Sequence, residues 1–334
     1  MQIITAAAWI YLGILFAWLA FYLLSGERLL VIALLNTLAV YFFLPLPLVA
    51  LAAAFTHSWE LWAGTLIGTA VFAWLWGGLF LPSPSRASAG GKTLTVMTYN
   101  VLGRHEFSAP IIATIRQESP DVVLIQELNP ALAEALQSEL AEAYPYQVFD
   151  PQTGVSGMGV ISRYPLTPLE RELPPDWIGV PQELSLDWNG RAIRLVNFHM
   201  QSSTLGGLSR YGLDNDKRTR QAQALVEYAA GAQALIAGGD ANSTPLSAAY
   251  RTLSGQLVDT WGQRGFGLGH TFPGSDIPGS MRPRLAGVPV PQWLARIDYI
   301  FHSAQFTTLH ARTAQFDGVS DHRGVVAVLM WAAP

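Results

Sequence analysis

An α/β domain of two packed sheets flanked by helices, carried behind an all-α transmembrane region of about three helices, is the architecture this sequence predicts. Three observations predict it. Residues 1–81 hold only Glu27, Arg28 and Glu60 as charged side chains, and the apolar runs 3–24, 29–55 and 61–81 contain no Asp, Glu, Lys or Arg. Beyond residue 92, short apolar and β-branched runs alternate with helically spaced segments early on and with Gly- or Pro-bearing turns later. Finally, those apolar runs repeatedly end in a lone carboxylate, amide or imidazole.

Each N-terminal run is long enough to cross about 30 Å of hydrocarbon as a helix. A cleaved signal peptide followed by buried core helices is the competing reading. No basic leading segment is present, and the apolar stretch continues far past signal-peptide length; Ala87-Ser88-Ala89 resembles a cleavage site only superficially. The middle run carries Asn36 and Pro45-Leu46-Pro47, so it reads as one kinked helix or as a helix plus a short re-entrant piece, which leaves a fourth span open. Trp59 and Trp62 fall at a span end, where indoles favour the interface. Residues 82–91 are small, polar and turn-rich, as a tether requires, so the expected division is a membrane region at 1–81, a linker at 82–91 and a soluble domain at 92–334. With three spans, Arg28, Arg86 and Lys92 share the side of that domain, a charge bias that points to the cytoplasm.

The soluble part has 18 Lys and Arg against 22 Asp and Glu and is not a basic domain. The absence of cysteine excludes a disulfide framework, a thiolate nucleophile and a thiolate metal site. In chain order, residues 93–102 form a first strand reaching Tyr99-Asn100, 109–118 a helix with Pro110 near its start, and 121–125 a buried strand leading into Gln126-Glu127. Residues 130–143 are an amphipathic helix with Glu134, Glu139 and Glu142 on its solvated face. Further strands are expected at 158–162, 183–188, 192–199, 257–259, 297–303, 306–312 and 324–330, with Asn189-Gly190 as a hairpin turn. A helix at 213–230 leads into the apolar strand 234–239, which stops abruptly in Gly238-Gly239-Asp240-Ala241-Asn242. Taken alone, that ending is equally well an ordinary Asx turn.

Strand-end polar residues occur at Asn100, Glu127, His199, Asp240 with Asn242, Asp298, and Asp321 with His322. Together they make an oxygen-rich set suited to a hard cation, with imidazoles available for proton transfer or phosphate contact. The pieces Thr98-Tyr99-Asn100-Val101, Ile125-Gln126-Glu127, Asn197-Phe198-His199, Gly239-Asp240-Ala241-Asn242-Ser243-Thr244-Pro245, Ile297-Asp298-Tyr299-Ile300 and Ser320-Asp321-His322-Arg323 resemble, in order, the motif set of the endonuclease/exonuclease/phosphatase superfamily. That superfamily includes deoxyribonucleases, abasic-site endonucleases, neutral sphingomyelinases and inositol-polyphosphate phosphatases, and membrane-tethered bacterial members share this layout. Ala241 departs from the pattern, where an aromatic is frequent, which points to altered packing and not to lost chemistry.

The resemblance implies a four-layer α/β/β/α sandwich with the site at one end of the two sheets. It implies Glu127 as principal ligand of Mg²⁺ or Mn²⁺, assisted by Asn100 and Asp321. It also implies Asp240 as the group that orients or deprotonates water, Asn242 as a contact to phosphate or that water, and Asp298 as the orienter of His322. His322 is then base or phosphate contact, and His199 stabilises phosphate or protonates the leaving oxygen. The expected activity is divalent-metal-dependent hydrolysis of a phosphoester, with a lipid phosphodiester, as in sphingomyelinase or phospholipase, preferred because the domain lacks the basic surplus that nucleic-acid binding draws on. A nuclease is the alternative substrate class, and a catalytically silent membrane-bound interaction module the alternative of a different kind. Tethered relatives place the domain outside the cytoplasmic membrane, against the charge bias above. Arg210, Lys217, Arg218 and Arg220 are either contacts to an anionic group or a solvated helix balanced by Asp214 and Asp216. The loops 174–180 and 265–274 either dip into a membrane or pack over the sandwich end, and His270 lies in the second.

Overall fold

The computed structural model of the protein describes residues 1–81, 91–203 and 208–332, without the side chains of 208 and 209. The linker expected at 82–91 lies, apart from Gly91, outside the described residues. The chain divides into a helical unit holding residues 1–81 and a larger unit beginning at Pro82.

The helical unit comprises α1 (Gln2–Ser25), α2 (Leu30–Asn36), α3 (Leu46–Thr56) and α4 (Trp59–Trp76), with 3-10 turns at Ala39–Phe43 and Gly77–Phe80. Three stretches, Gln2–Ser25, Ala39–Thr56 and Trp59–Phe80, are long and apolar enough to cross a membrane. The middle run is therefore not one helix over 29–55. Pro45 caps α3 and Pro47 sits in its first turn, where a missing N–H costs nothing, so the helix restarts there. Asn36, at the end of α2, is buried and accepts from Trp18 Nε1 at 3.2 Å. Gly64 and Gly68 let α4 approach closely: a Cβ at either would stand 2.5 Å from Leu12 Cδ1 or 2.8 Å from Leu46 Cδ2.

The larger unit contains β1 (Thr93–Asn100), α5 (Ala109–Glu118), β2 (Val122–Gln126), α6 (Pro130–Glu139), β3 (Tyr146–Asp150), β4 (Met158–Ser162), β5 (Leu166–Pro168), β6 (Gly179–Trp188) and β7 (Arg191–His199). There follow α7 (Leu208–Ala230), β8 (Leu235–Asp240), α8 (Ala248–Ser254), β9 (Val258–Asp259), α9 (Thr260–Arg264), β10 (Arg284–Leu285), β11 (Val288–Pro289), β12 (Asp298–His302), β13 (Phe306–Thr313) and β14 (Val325–Trp331). Among the described residues, two six-stranded sheets have the orders β13-β14-β1-β2-β4-β3 and β5-β6-β7-β8-β12-β9, while β10 and β11 pair only with each other. Helices α5 and α6 bury Ile111, Ile112, Ile115, Leu132 and Leu136 against Met97, Tyr99, Val123 and Ile125 of the first sheet. Helices α7 and α8 bury Ala222, Leu225, Ala249 and Leu253 against Val196, Phe198, Ala237, Tyr299 and Phe301 of the second. The result is a four-layer α/β/β/α sandwich, since each sheet has one face for helices and one for its partner sheet.

Topology explains why the polar strand ends meet. β1 and β2 are parallel and joined through α5, and β7 and β8 are parallel and joined through α7, so each pair ends at the same edge of its sheet. β12 runs antiparallel to β8 and begins with Asp298 opposite Asp240. β14 runs antiparallel to β1 with Val325 opposite Thr98, which brings the preceding 320–322 turn to that edge as well.

The two glycines before Asp240 are packing requirements. A Cβ at Gly238 would stand 2.6 Å from Leu124 Cδ1 of the facing sheet, and one at Gly239 would stand 1.9 Å from the Phe198 carbonyl oxygen. The second clash is with backbone and cannot be relieved by a rotamer change. Gly239→Ala is expected to lower unfolding stability by about 3 kcal/mol, at the upper end of ordinary overpacking, measured by denaturant unfolding of the full chain.

Helix α7 begins five residues earlier than the 213 start read from the sequence, and α6 ends at Glu139 instead of 143. Strands β3 and β5, the β10–β11 hairpin and helices α8 and α9 were not expected. β3 and β5 are edge strands with few buried side chains, so neither carries a continuous apolar run.

Candidate active site

At the shared edge, Asn100 is the bridge. Its Nδ2 donates to Glu127 Oε1 and to Asp240 Oδ2, both at 3.1 Å, and its Oδ1 accepts from Leu102 N at 3.1 Å. Glu127 follows β2 with φ 62°, a left-handed conformation that costs a glutamate on the order of 1–3 kcal/mol. Its Oε2 accepts from Gly103 N at 3.1 Å. Gly103 has no room for a side chain, since a Cβ would meet the Gly154 and Glu127 carbonyl oxygens at 2.1 and 2.4 Å. Burial, with Asp321 adding repulsion, pushes the Glu127 carboxyl up to about 7 against the opposing pull of His322.

Asp240 is fully enclosed. Its Oδ1 accepts from Asn242 N at 2.8 Å, and its Oδ2 lies 3.5 Å from His199 Nε2 and 3.8 Å from His322 Nε2. Burial and the facing Asp298 raise its pKa above the carboxylate range. His322 Nδ1 is 2.9 Å from Asp298 Oδ2. Burial alone would depress this imidazole, but Asp298 and Asp240 overcome it and push the group up to about 10. His199 goes the other way: burial and the His322 charge lower it to about 3. One imidazole is thus cationic at neutral pH and the other neutral.

Seven of the eight residues read from the sequence are joined by these hydrogen bonds and close contacts. The eighth, Asp321, is buried, accepts from Met281 N at 2.7 Å and acts electrostatically on Glu127 and His322. Asn242 turns its amide nitrogen to the Met200 carbonyl at 3.1 Å and adopts φ 49°, which an asparagine tolerates. Ala241 is buried in the core beneath the second sheet.

Further residues in and beside these motifs support the site, and their roles are not legible in the sequence. Gln126 and Asn197 are completely buried between the sheets, with Gln126 Nε2 donating to Asn197 Oδ1 at 2.7 Å and Asn197 Nδ2 donating to the Ile125 and Gly159 carbonyls at 3.0 Å. Ser320 Oγ donates to the Asn100 carbonyl at 2.7 Å and accepts from His322 N at 3.0 Å, joining β1 to the histidine turn. Asp317 accepts from Val319 N, Ser320 N and the Tyr99 hydroxyl, shaping the same turn. A polar residue inside an otherwise apolar run, as at Gln126 and Asn197, is the signal that could have found the first pair.

Three of the four basic residues are committed within the chain, while Arg220 is exposed. Arg218 is buried and donates to the Gln201 carbonyl and Ser203 Oγ, Arg210 pairs with Asp214, and Lys217 lies 3.8 Å from Asp176. Of the two loops expected to dip or pack, the first packs: Trp177 is buried, its ring tilted steeply against Phe198 with centroids 6.3 Å apart. In the second, Phe266 is exposed while Phe272 packs 5.0 Å from the His322 ring. His270 bonds to the Trp293 carbonyl at 2.7 Å.

The fold is found in an endonuclease/exonuclease/phosphatase from Beutenbergia cavernae DSM 12333, at 23% identity, with 72% of each chain covered and a TM-score of 0.51. It is found in D. rerio TDP2 complexed with a single-strand DNA product, at 21% identity over 71% of this chain and 98% of that chain, TM-score 0.53. Beta toxin from Staphylococcus aureus matches at 17% identity over 70% and 99%, TM-score 0.50. These likenesses show the fold alone, and none of the curated proteins matches the sequence. Residues 97–322, which run from β1 to His322 and hold every strand-end residue described above, match the Endonuclease/Exonuclease/phosphatase family, and the chain belongs to that family.

Proposed function

We propose that this chain is a membrane-anchored, divalent-cation-dependent phosphoester hydrolase in which water attacks phosphorus in line. The observation that carries the reading is one continuous network, with every link 3.8 Å or shorter, running through Glu127, Asn100, Asp240, His199, His322 and Asp298.

The residues present fit a hard cation. Glu127 and Asp321 are buried carboxylates that repel one another, oxygen donors suited to Mg²⁺ or Mn²⁺, and Asn100, whose amide nitrogen faces Glu127 and Asp240, would add its carbonyl oxygen by turning that amide over. Ligand atoms of Asp240, Asp298 and His322 also come within 4.8 Å of one another. There, however, the imidazolium already balances the carboxylates and would repel a metal ion, so the cation is assigned to Glu127, Asp321 and Asn100. When bound, it neutralises charge on the phosphate oxygens.

Asp240 orients water and takes its proton, because a carboxylate raised above its usual range is matched to general-base work near neutrality. Asn242 steadies Asp240 through its backbone N–H and contacts the phosphate or the water. His322, held cationic by Asp298, contacts the phosphate and is not the base. His199 is neutral and serves as a hydrogen-bond donor to the phosphate. Because a proton on Glu127 competes with the cation, Mg²⁺ affinity is expected to be about tenfold weaker at pH 6 than at pH 8, measured by titration calorimetry of the full chain in detergent.

For the substrate, a lipid phosphodiester is preferred. The three long apolar helices hold the domain near head groups, and 18 basic residues against 22 acidic ones leave no surplus for a polyanion. A nuclease is the second reading, favoured by the DNA product held in D. rerio TDP2. Sphingomyelin, phosphatidyl lipids, single- and double-stranded DNA and phosphomonoesters assayed in parallel separate them: lipid cleavage without DNA cleavage is expected, and the reverse would replace the first reading by the second. The domain is assigned to the extracytoplasmic face, so protease added to intact cells should remove it; protection would put it on the other side.

A further inference from the structure

The β10–β11 hairpin lies outside both main sheets. Its turn, Ala286-Gly287, has φ 50° and 81°, the two positive values of a tight type I′ hairpin. Leu285 and Val288 are cross-strand partners, so their side chains share one face. They are 77% and 66% exposed. At the base of the hairpin Met281 is 58% exposed, and its N–H holds Asp321 Oδ2 at 2.7 Å. Its sulfur accepts from Arg104 Nη1 at 3.3 Å. Arg104 follows Gly103, whose N–H holds Glu127 Oε2 at 3.1 Å, and the same loop carries Phe107, 57% exposed. Four large apolar side chains in water therefore stand on two loops, each bonded directly to one of the two carboxylates assigned to the cation.

An isolated two-stranded hairpin is marginal in water, and apolar residues on such a tip are unfavourable unless an apolar phase receives them. From this we infer that the hairpin tip, with Met281 and Phe107, inserts into a lipid surface and presents the catalytic edge to lipid phosphoesters. Two observations select lipid as the occupant. Three helices of the same chain are long and apolar enough to cross a bilayer, so a bilayer is the nearest apolar phase. The tip mixes apolar side chains with arginines, as interfacial segments do; Arg284 is paired with Asp276, so the pull on anionic head groups rests on Arg104. The inference deepens the lipid reading above and rests on it and on the helices spanning a membrane.

The chain has no cysteine, so single labels can be placed cleanly. Leu285→Cys, Val288→Cys and, as a control on exposed α6, Ser138→Cys would each carry an environment-sensitive fluorophore in the full chain reconstituted into phosphatidylcholine/phosphatidylglycerol vesicles containing spin-labelled lipid. Labels at 285 and 288 are expected to be quenched about threefold more than the label at 138. Equal quenching at all three positions, or labels at 285 and 288 shielded from aqueous iodide yet untouched by spin-labelled lipid, would overturn the inference, the second result indicating a protein partner. The double variant Leu285→Ser with Val288→Ser is expected to lose about tenfold activity on lipid in vesicles while hydrolysing water-soluble bis(p-nitrophenyl) phosphate as the unaltered chain does. An equal loss on both esters would count against docking. Inactivity of the unaltered chain on every ester would instead remove the hydrolase reading, with the quenching result still deciding the docking.

Discussion

His322→Ala is expected to lower kcat by about 10³- to 10⁴-fold, the range for losing a preorganised charge and hydrogen-bond donor together. The imidazolium does two jobs at once. It sits 2.9 Å from Asp298 and 3.8 Å from Asp240, carboxylates that face each other across the β8–β12 ladder. Without it these two buried acids repel and take up a proton, so the base is lost along with the phosphate contact. Asp298→Asn should act in the same direction by about 10²- to 10³-fold, since His322 keeps its place but loses the partner that most strongly holds its proton. Steady-state kinetics, with unfolding curves to exclude loss of fold, check both.

Glu127→Gln is expected to abolish measurable turnover, a fall of about 10³-fold or more, and to weaken Mg²⁺ binding by about 100-fold. The amide is nearly isosteric, and its oxygen can still accept from Gly103 N or Asn100 Nδ2. It also removes a buried charge and the repulsion from Asp321. Stability in EDTA should therefore stay level or rise, while activity disappears, the pattern of a residue kept for function at a cost in stability. A variant that lost stability and activity together would identify Glu127 as structural.

Much of this site was legible because Asn100, Glu127, His199 and Asp240 stand at or just past the ends of strands, where a polar residue after a buried apolar run announces itself, whereas Asp298 opens β12 and Asp321-His322 lie in the turn before β14. Glu127 after Val122–Gln126 and Asp240 after Leu235–Gly239 are the clearest cases. The ordering of motifs then identified the sandwich. What one-dimensional reasoning could not supply was which carboxylate faces which: the Asp240–Asp298 opposition depends on the register of β8 against β12. The opposite charge states of His199 and His322 follow from that opposition, since only His322 lies between the two acids. The committed state of Arg218 was hidden for a similar reason. On a helix with Asp214 and Asp216 it reads as solvated, yet the chain after His199 folds back to take its guanidinium at the Gln201 carbonyl and Ser203. The β10–β11 hairpin left little trace because its strands are two residues long and carry no periodicity.

The most direct test of the central claim is phosphoester hydrolysis by the full chain stripped with EDTA, assayed across the lipid, nucleic-acid and monoester panel before and after Mg²⁺ is restored, with Glu127→Gln alongside. Activity on at least one ester that vanishes in EDTA, returns with Mg²⁺ and is absent from the variant is the expected result. Hydrolysis that persists in EDTA, or that Glu127→Gln retains in full, would contradict it, and silence on every ester with Mg²⁺ present would leave the family fold serving as a scaffold.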